Sequence, residues 1–201
     1  MSQKIETDFL IIGSGIAGLS YALKVSKYGS VCIVTKKMPE DTATKYAQGG
    51  IAVVSKDSDS FEKHIKDTMI AGCNLNNKEI VRDVVTEGPE RIAELIKWGA
   101  NFDRKNDGDY DLAKEGGHTE HRILHSKDST GTEIQNTLIK KVNENPSIEI
   151  LNNHFAIDLI TQHHLGKLVK RSNSDTECYG AYILNIKKKE VITVLAKTTL
   201  I

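Results

Sequence analysis

The order of apolar and polar residues over the first 35 positions predicts a strand, a helix and a second strand. Residues 8–12 (DFLII) form a short, almost continuous apolar run, which is typical of a parallel strand buried on both faces. A glycine-rich turn over residues 13–18 follows, and the next segment has a helical apolar face that ends near Gly29. Residues 31–34 (VCIV) are a second apolar run. The pattern therefore predicts a βαβ unit.

The middle of the chain has helical periodicity. One helix is predicted to begin near Ser60, and a second to begin after Asn77, a residue type that caps helix N-termini. Gly88 and Pro89 predict that the second helix ends there, with Pro89 in the first turn of a third helix that runs to Trp98. The apolar residues that define the three helical faces are Ile65, Met69 and Ile70, then Ile80, Val81, Val84 and Val85, then Ile92, Leu95 and Ile96.

Strands replace helices in the last third of the chain. Residues 105–117 are polar and predict a loop, and residues 132–145 predict a helix with Ile134, Leu138, Ile139 and Val142 facing inward. Residues 148–151 (IEIL) predict a third buried strand. A meander of three strands is predicted over residues 156–161, 179–186 and 191–196. The fold class predicted from the pattern is α/β, with a parallel sheet and a β-meander.

Composition excludes several classes of function. The 201 residues suit one ordinary domain or an incomplete part of a larger one, and 39% hydrophobic residues allow a sizeable core. The 27 basic and 27 acidic residues balance, which argues against nucleic acid or an anionic membrane as a partner. No apolar run approaches the ~20 residues of a membrane span. Cys32, Cys73 and Cys178 are odd in number and far apart, so a reducing cytoplasm is the expected location.

The glycine-rich turn matches the dinucleotide-binding fingerprint Gly-x-Gly-x-x-Gly at Gly13, Gly15 and Gly18. Glycine there allows a tight turn and close approach of a pyrophosphate to the N-terminus of the helix. The acidic residue expected about 20 positions later, which would bind a ribose hydroxyl, is absent, and Lys36 follows the second strand instead. A lysine at this place suits a 2′-phosphate or is simply solvated, so the fingerprint alone leaves FAD, NAD and NADP open.

A second glycine-bearing stretch follows at residues 42–52 (TATKYAQGGIA). Paired glycines expose backbone N–H groups, so this segment is suited to wrap a flavin ring or a pyrophosphate. A plain surface loop is the alternative interpretation.

Four ordered motifs give the chain a specific resemblance. They are residues 11–20 (IIGSGIAGLS), residues 46–52 (YAQGGIA), residues 67–72 (DTMIAG), and a motif that begins at 115–118 (EGGH), continues through 122–125 (RILH) and ends at 128–131 (DSTG). In these the sequence resembles the N-terminal part of the L-aspartate oxidase family, within the succinate dehydrogenase/fumarate reductase flavoprotein superfamily. The resemblance implies a Rossmann-like FAD-binding domain that is incomplete, because residues 1–201 match only its N-terminal portion. By the same resemblance, the family's capping domain and C-terminal helical domain are expected to be absent from residues 1–201.

The resemblance also implies which residues bind FAD. Aspartate oxidases have Ser/Thr-Lys where other flavoproteins have an acid, so Lys36 is expected to contact FAD rather than a 2′-phosphate. The full set implied is Gly13, Ser14, Gly15, Ile16, Ala17, Gly18, Lys36, Ala43, Thr44, Lys45, Tyr46, Ala47, Gln48, Gly49 and Gly50.

Two positions distinguish this chain from other members of the superfamily. Ala43 stands where succinate dehydrogenases and membrane fumarate reductases usually have a histidine that links the flavin, so FAD is expected to be non-covalent. Glu115 stands where those relatives tend to have an aromatic residue. By the resemblance, Glu115 contacts the substrate amino group, which succinate lacks and aspartate has. An exposed loop carboxylate without a ligand is the alternative interpretation of Glu115.

Three histidines in the same region raise the question of a metal. His118, His121 and His125, with Glu115 and Glu120 nearby, offer enough ligands for zinc. Their spacing matches no standard closed zinc site, and they lie within the flavoprotein motif. No metal site is therefore predicted.

The activity implied by the resemblance is oxidation of L-aspartate to iminoaspartate, with O2 or fumarate as electron acceptor. This is the first step of quinolinate and NAD biosynthesis, and quinolinate synthase is the expected consumer of the product. The family's substrate-carboxylate and proton-handling Arg and His residues lie beyond Ile201, so no catalytic acid or base is assigned. Two alternatives stay open, namely a truncated, non-catalytic FAD-binding remnant and a soluble fumarate reductase-like flavoprotein.

Overall fold

The computed structural model describes residues 3–127, 129–170, 172 and 175–201, and these residues divide into two compact units. The first unit comprises Met1–Ala43 and Leu138–Ile201, and the second comprises Thr44–Thr137. The elements in chain order are β1 (Lys4–Ile12), α1 (Ile16–Val25), β2 (Val31–Thr35), β3 (Ile51–Ala52), α2 (Phe61–Ala71), α3 (Lys78–Trp98), β4 (Leu112–Ala113), β5 (Ile123–Leu124), α4 (Thr130–Asn143), β6 (Ile148–Asn152), β7 (His154–Thr161), a 3₁₀ turn (Gln162–Leu165), β8 (Cys178–Asn185) and β9 (Glu190–Leu200).

The first unit is built on a six-stranded sheet in the order β6-β2-β1-β9-β8-β7. Strands β1, β2, β6 and the incoming β9 are parallel, while β7, β8 and β9 pair antiparallel as a meander. Helix α1 connects β1 to β2, which confirms the βαβ unit, and all five residues of β2 are buried. The fold class predicted from the sequence is therefore confirmed.

The predicted third buried strand needs a correction. Strand β6 lies at the edge of the six-stranded sheet, and its residues are half-buried or exposed, with none fully buried. Among the described residues it pairs with β2 alone. The apolar core lies instead on the central strands, where Leu10, Val34, Ile183 and Val194 are at most 2% exposed.

The second unit holds α2, α3 and a small antiparallel sheet in the order β3-β5-β4. The predicted break at Gly88 and Pro89 is wrong, because α3 continues through Pro89 as one helix of 21 residues. Its buried residues Val85, Ile92 and Leu95 lie on one continuous face on both sides of the proline, so packing outweighs the missing backbone hydrogen bond.

The predicted apolar faces of α2 and α3 are only partly correct. Ile70, Ile80 and Val84 are exposed, whereas α2 buries His64, Ile65 and Asp67. Two of the three inward residues of α2 are thus polar, which hydrophobic periodicity does not detect. The start of α2 is as predicted, because Ser60 accepts a hydrogen bond from the Lys63 amide at 3.2 Å.

Among the described residues no helix combines the length and apolar character needed to span a membrane. The three cysteines are unpaired, with Cys32 buried and Cys73 exposed.

Candidate functional site

The glycine turn of the first unit joins the end of β1 to the N-terminus of α1. Gly13 has a φ of +116°, a conformation that side chains rarely adopt, and its N–H donates to Val34 O at 2.9 Å. A Cβ atom on Gly18 would collide with the carbonyl oxygen of Gly13. The turn therefore lies directly against the first turn of α1, as the fingerprint predicts.

The N-terminus of α1 fits a bound pyrophosphate. Its N-cap is Gly15, which supplies no side-chain hydrogen bond, and the first turn has no acidic residue. Ile16 and Ala17 are exposed, so the first turn of the helix faces solvent. The helix dipole and the amide groups of a helix N-terminus favour an anion, so this end of α1 is suited to the phosphates of a dinucleotide.

The residues at the end of β2 flank this turn. Ser14 is buried, and its Oγ lies 3.0 Å from both Thr35 Oγ1 and Pro39 O, so the hydroxyl braces the end of β2. A cofactor contact by Ser14 would therefore use its backbone. Lys36 directly follows β2 and is exposed.

The second glycine-bearing stretch is a loop over residues 42–50 that leads into strand β3. Ala43 lies in the first unit and is exposed. Within the second unit, the loop is attached to the start of α4: Gly131 N donates to Ala47 O at 3.0 Å and Thr132 Oγ1 donates to Lys45 O at 3.1 Å. A Cβ atom on Gly131 would collide with Thr44 O. Of the loop residues predicted to contact FAD, Thr44, Lys45 and Gly50 are half-buried. The others in the second unit are exposed, namely Tyr46, Ala47, Gln48 and Gly49.

Glu115 lies next to this loop. A methyl group built on Gly49 would be 3.6 Å from Glu115 Oε1, so the carboxylate and the loop backbone are neighbours. Glu115 begins a turn that His118 N closes by donating to Glu115 O at 3.2 Å. Glu115, Gly116 and Gly117 are exposed, and Gly117 has a φ of +86°. The second unit thus brings the predicted substrate contact beside the predicted flavin loop.

A buried ionic cluster lies behind this turn. Arg122 is fully buried and makes a bidentate pair with Asp59, through Nε to Oδ2 and Nη2 to Oδ1, both at 2.8 Å. Its Nη1 donates to Asp67 Oδ2 at 2.6 Å and lies 3.2 Å from His118 Nδ1. Asp67 Oδ2 also accepts hydrogen bonds from Thr119 N at 2.8 Å and Thr119 Oγ1 at 2.9 Å.

The cluster shifts the pKa values of its members. Burial would raise the pKa of Asp59, but hydrogen bonds from Arg122 and from the Ser60 amide outweigh it and hold that pKa below its ordinary value. Burial also opposes ionisation of Asp67, and hydrogen bonds from the Thr119 amide and Arg122 lower its pKa overall. His64 is buried with Nδ1 unpartnered, and burial together with Arg122 lowers its pKa. At neutral pH the cluster holds one guanidinium and two carboxylates.

The three histidines considered as metal ligands have separate partners. His118 contacts Arg122, His121 Nδ1 lies 3.2 Å from Leu112 O, and His125 Nδ1 lies 3.1 Å from Asp103 Oδ2. In the part of the chain that the structure describes, they do not form a common ligand group. A different group, Asp158, His163 and His164, lies on the surface of the first unit.

Sequence reasoning missed Asp59, His64 and Asp67, and gave Arg122 no role. The available signal was weak: polar residues at positions 64 and 67 share the inner face of α2 with Ile65. Asp128, which belongs to one of the motifs, lies outside the described residues.

The topology and the glycine turn define the class of protein, a Rossmann-like α/β dinucleotide-binding domain. Residues 8–201 match the model of one family, described as "FAD binding domain". The chain belongs to this family, and its cofactor is accordingly FAD.

Relatives and solved structures agree with this assignment. The chain is 49% identical over 194 residues to an L-aspartate oxidase from Nicotiana tabacum, covering 96% of this chain and 29% of the relative. It is 41% identical over 197 residues to the L-aspartate oxidase of Vibrio cholerae, covering 96% of this chain and 36% of the relative. A variant of E. coli quinol fumarate reductase FrdA superposes with a TM-score of 0.86 at 27% identity, over 98% of this chain and 32% of that chain. The chain thus spans about a third of the length of these proteins, and its resemblance to L-aspartate oxidases is confirmed.

Proposed function

We propose that this chain provides the FAD-binding domain of an oxidase that converts L-aspartate to iminoaspartate, with O2 or fumarate as electron acceptor. The observation that carries the proposal is the position of Glu115 beside the loop at Gly49. A carboxylate there is suited to bind an ammonium group next to the flavin loop. The 49% and 41% identities to proteins named L-aspartate oxidase support aspartate as the substrate.

In this proposal each part of the chain has a defined task. Bound FAD supplies the redox chemistry. The N-terminus of α1 binds the pyrophosphate, and Lys36 and the loop at residues 43–50 bind the rest of the cofactor. Ala43 has only a methyl group and cannot bond to the flavin, so the cofactor is held non-covalently. Glu115 binds and orients the substrate amino group, and no acid or base is assigned.

We further infer that the product supplies quinolinate and NAD biosynthesis through quinolinate synthase, and that the protein is cytoplasmic. The unpaired state of all three cysteines supports a reducing compartment. The tobacco relative is named as chloroplastic.

The test is flavin binding followed by turnover. Purified chain is titrated with FAD, flavin fluorescence is recorded, and L-aspartate is then supplied with O2 or with fumarate. The proposal expects the chain to bind FAD, and it expects iminoaspartate to form together with H2O2 or succinate when the chain is completed with the remainder of a full-length relative. FAD binding without any aspartate turnover in that completed protein favours the non-catalytic remnant. Reduction of fumarate by an artificial electron donor, without oxidation of aspartate, favours a fumarate reductase-like flavoprotein. The structural similarity to FrdA supports this alternative. Absence of FAD binding overturns the proposal.

Replacing Glu115 by glutamine is expected to weaken L-aspartate binding to the FAD-loaded chain while leaving FAD affinity unchanged. A hydrogen bond to a charged group contributes about 1.5–3 kcal/mol, which corresponds to a loss of roughly 10- to 100-fold. The change in flavin absorbance on addition of aspartate gives the aspartate affinity, and the change in flavin fluorescence on addition of FAD gives the FAD affinity. Glu120→Gln is the matched control, because Glu120 pairs with Lys63 at 2.7 Å rather than with the loop. Equal aspartate affinities in the two variants would show that Glu115 does not contact the substrate.

A further inference from the structure

The turn at residues 115–119 is held by hydrogen bonds at its C-terminal residues, whereas its first three residues are exposed. Thr119 donates twice to buried Asp67, and His118 Nδ1 lies 3.2 Å from Arg122 Nη1. Glu115 and the two glycines that follow are exposed. The buried cluster therefore holds the turn through His118 and Thr119.

Arg122 is the centre of this anchor because it contacts three separate segments. Its Nε and Nη2 bind Asp59, which precedes α2, and its Nη1 is shared between Asp67 within α2 and His118 in the turn. The side chains of Asp59 and Asp67 are 2% and 4% exposed. Replacing a buried ionic cluster by apolar side chains of similar volume often leaves the stability of a protein unchanged or raises it. The presence of this cluster is therefore better explained by the geometry that it imposes on its neighbours.

The contact with Arg122 also determines the tautomer of His118. A guanidinium has only donor groups, so His118 Nδ1 must be the acceptor in this hydrogen bond. The hydrogen of the neutral imidazole is then on Nε2. His118 is thus fixed as an Nε2–H donor three residues after the carboxylate of Glu115.

We propose that Arg122 is a positioning residue, which orients the Glu115 turn and fixes His118 as an Nε2–H donor. The turn then offers an acceptor and a donor, which are complementary to the ammonium group and a carboxylate of an amino dicarboxylic acid. The assignment of this ligand rests on the proposed function, whereas the roles of Arg122 and His118 rest on the geometry alone.

The test is the tautomer of His118 in the ¹⁵N-labelled chain, read from ¹H–¹⁵N correlations of the imidazole groups. His118→Gln removes and thereby identifies the His118 signals. The expected spectrum shows His118 protonated at Nε2 only. A mixture of tautomers, or protonation at Nδ1, would overturn the proposal.

Arg122→Lys tests whether Arg122 is the cause. The lysine keeps the charge, but its single ammonium is drawn to the two carboxylates and leaves His118 Nδ1 without a donor. We expect His118 to sample both tautomers in this variant, whereas a retained Nε2–H tautomer would exclude Arg122 as its cause. If the lysine variant does not fold, a mixture of tautomers or protonation at Nδ1 in the wild-type spectrum still overturns the proposal.

The two proposals fail independently. The wrong tautomer in a chain that binds FAD and aspartate overturns the role of Arg122 and leaves the proposed function intact. The Nε2–H tautomer in a chain that binds no FAD supports the role of Arg122 and overturns the proposed function.

Discussion

Arg122→Met is expected to lower the free energy of unfolding of the second unit by about 3–5 kcal/mol, because it leaves two buried carboxylates without a counter-ion. Methionine retains much of the side-chain volume, so the loss is electrostatic rather than a cavity effect. Typical domains have about 5–15 kcal/mol in total, so the variant is expected to be near the limit of folding. The measurement is urea unfolding followed by the fluorescence of Trp98, the single tryptophan of the sequence, which lies in the same unit.

Two further variants distinguish the loss of the buried ion pairs from the loss of an arginine side chain as such. Arg91→Met on α3 is the matched control, because Arg91 pairs with Glu90 and Glu94 at a surface where its side chain is 41% exposed. The urea concentration at the midpoint of its unfolding is expected to stay close to that of the wild type, since solvent screens exposed ion pairs. Adding Asp59→Asn and Asp67→Asn to Arg122→Met is expected to recover part of the loss, because the unpaired charges are then gone. Arg122→Met with the same midpoint as Arg91→Met would contradict the burial of the cluster.

Local signals predicted the first βαβ unit well. All parts of this unit lie within the first 35 residues: the apolar runs of β1 and β2, the glycine turn and the amphipathic α1. Their secondary structure therefore follows from residues that are close in sequence. The loop at residues 43–50 and Glu115 were predicted by resemblance to a family, and the structure brings Gly49 and Glu115 together.

The elements that sequence reasoning missed depend on distant partners. Strand β9 was predicted as part of the meander, but its position between β1 and β8 was not, because the pairing of Lys4 with Thr193 is a contact that no local pattern specifies. The partners of Arg122 at positions 59 and 67 are likewise more than 50 residues away. From the sequence alone, the buried polar side chains of α2 cannot be distinguished from polar surface residues. Their burial becomes understandable only when Arg122 is known to pair with Asp67. Pro89 was misjudged for the same reason, because the packing of α3 decides against the local preference.

Gly18→Ala is expected to abolish measurable FAD binding and to destabilise the first unit by about 1–3 kcal/mol, the usual cost of overpacking. The new Cβ atom would collide with the carbonyl oxygen of Gly13 and lie 3.2 Å from Ile11 Cγ2. A backbone carbonyl cannot rotate away as a flexible side chain can, so the glycine turn itself must move. The amide groups at the N-terminus of α1 would then no longer be aimed at a pyrophosphate.

Gly88→Ala is the matched control, since Gly88 also lies within a helix and its added Cβ would make an ordinary contact at 3.4 Å with Val53 Cγ2. Alanine has the higher helix propensity, so this control is expected to gain up to about 1 kcal/mol and to bind FAD normally. Flavin fluorescence titration and urea unfolding of both variants provide the comparison. If Gly18→Ala keeps its FAD affinity while Gly88→Ala behaves as expected, FAD does not bind at the turn between β1 and α1. The flavin-binding role would then have to rest on Lys36 and the loop at residues 43–50.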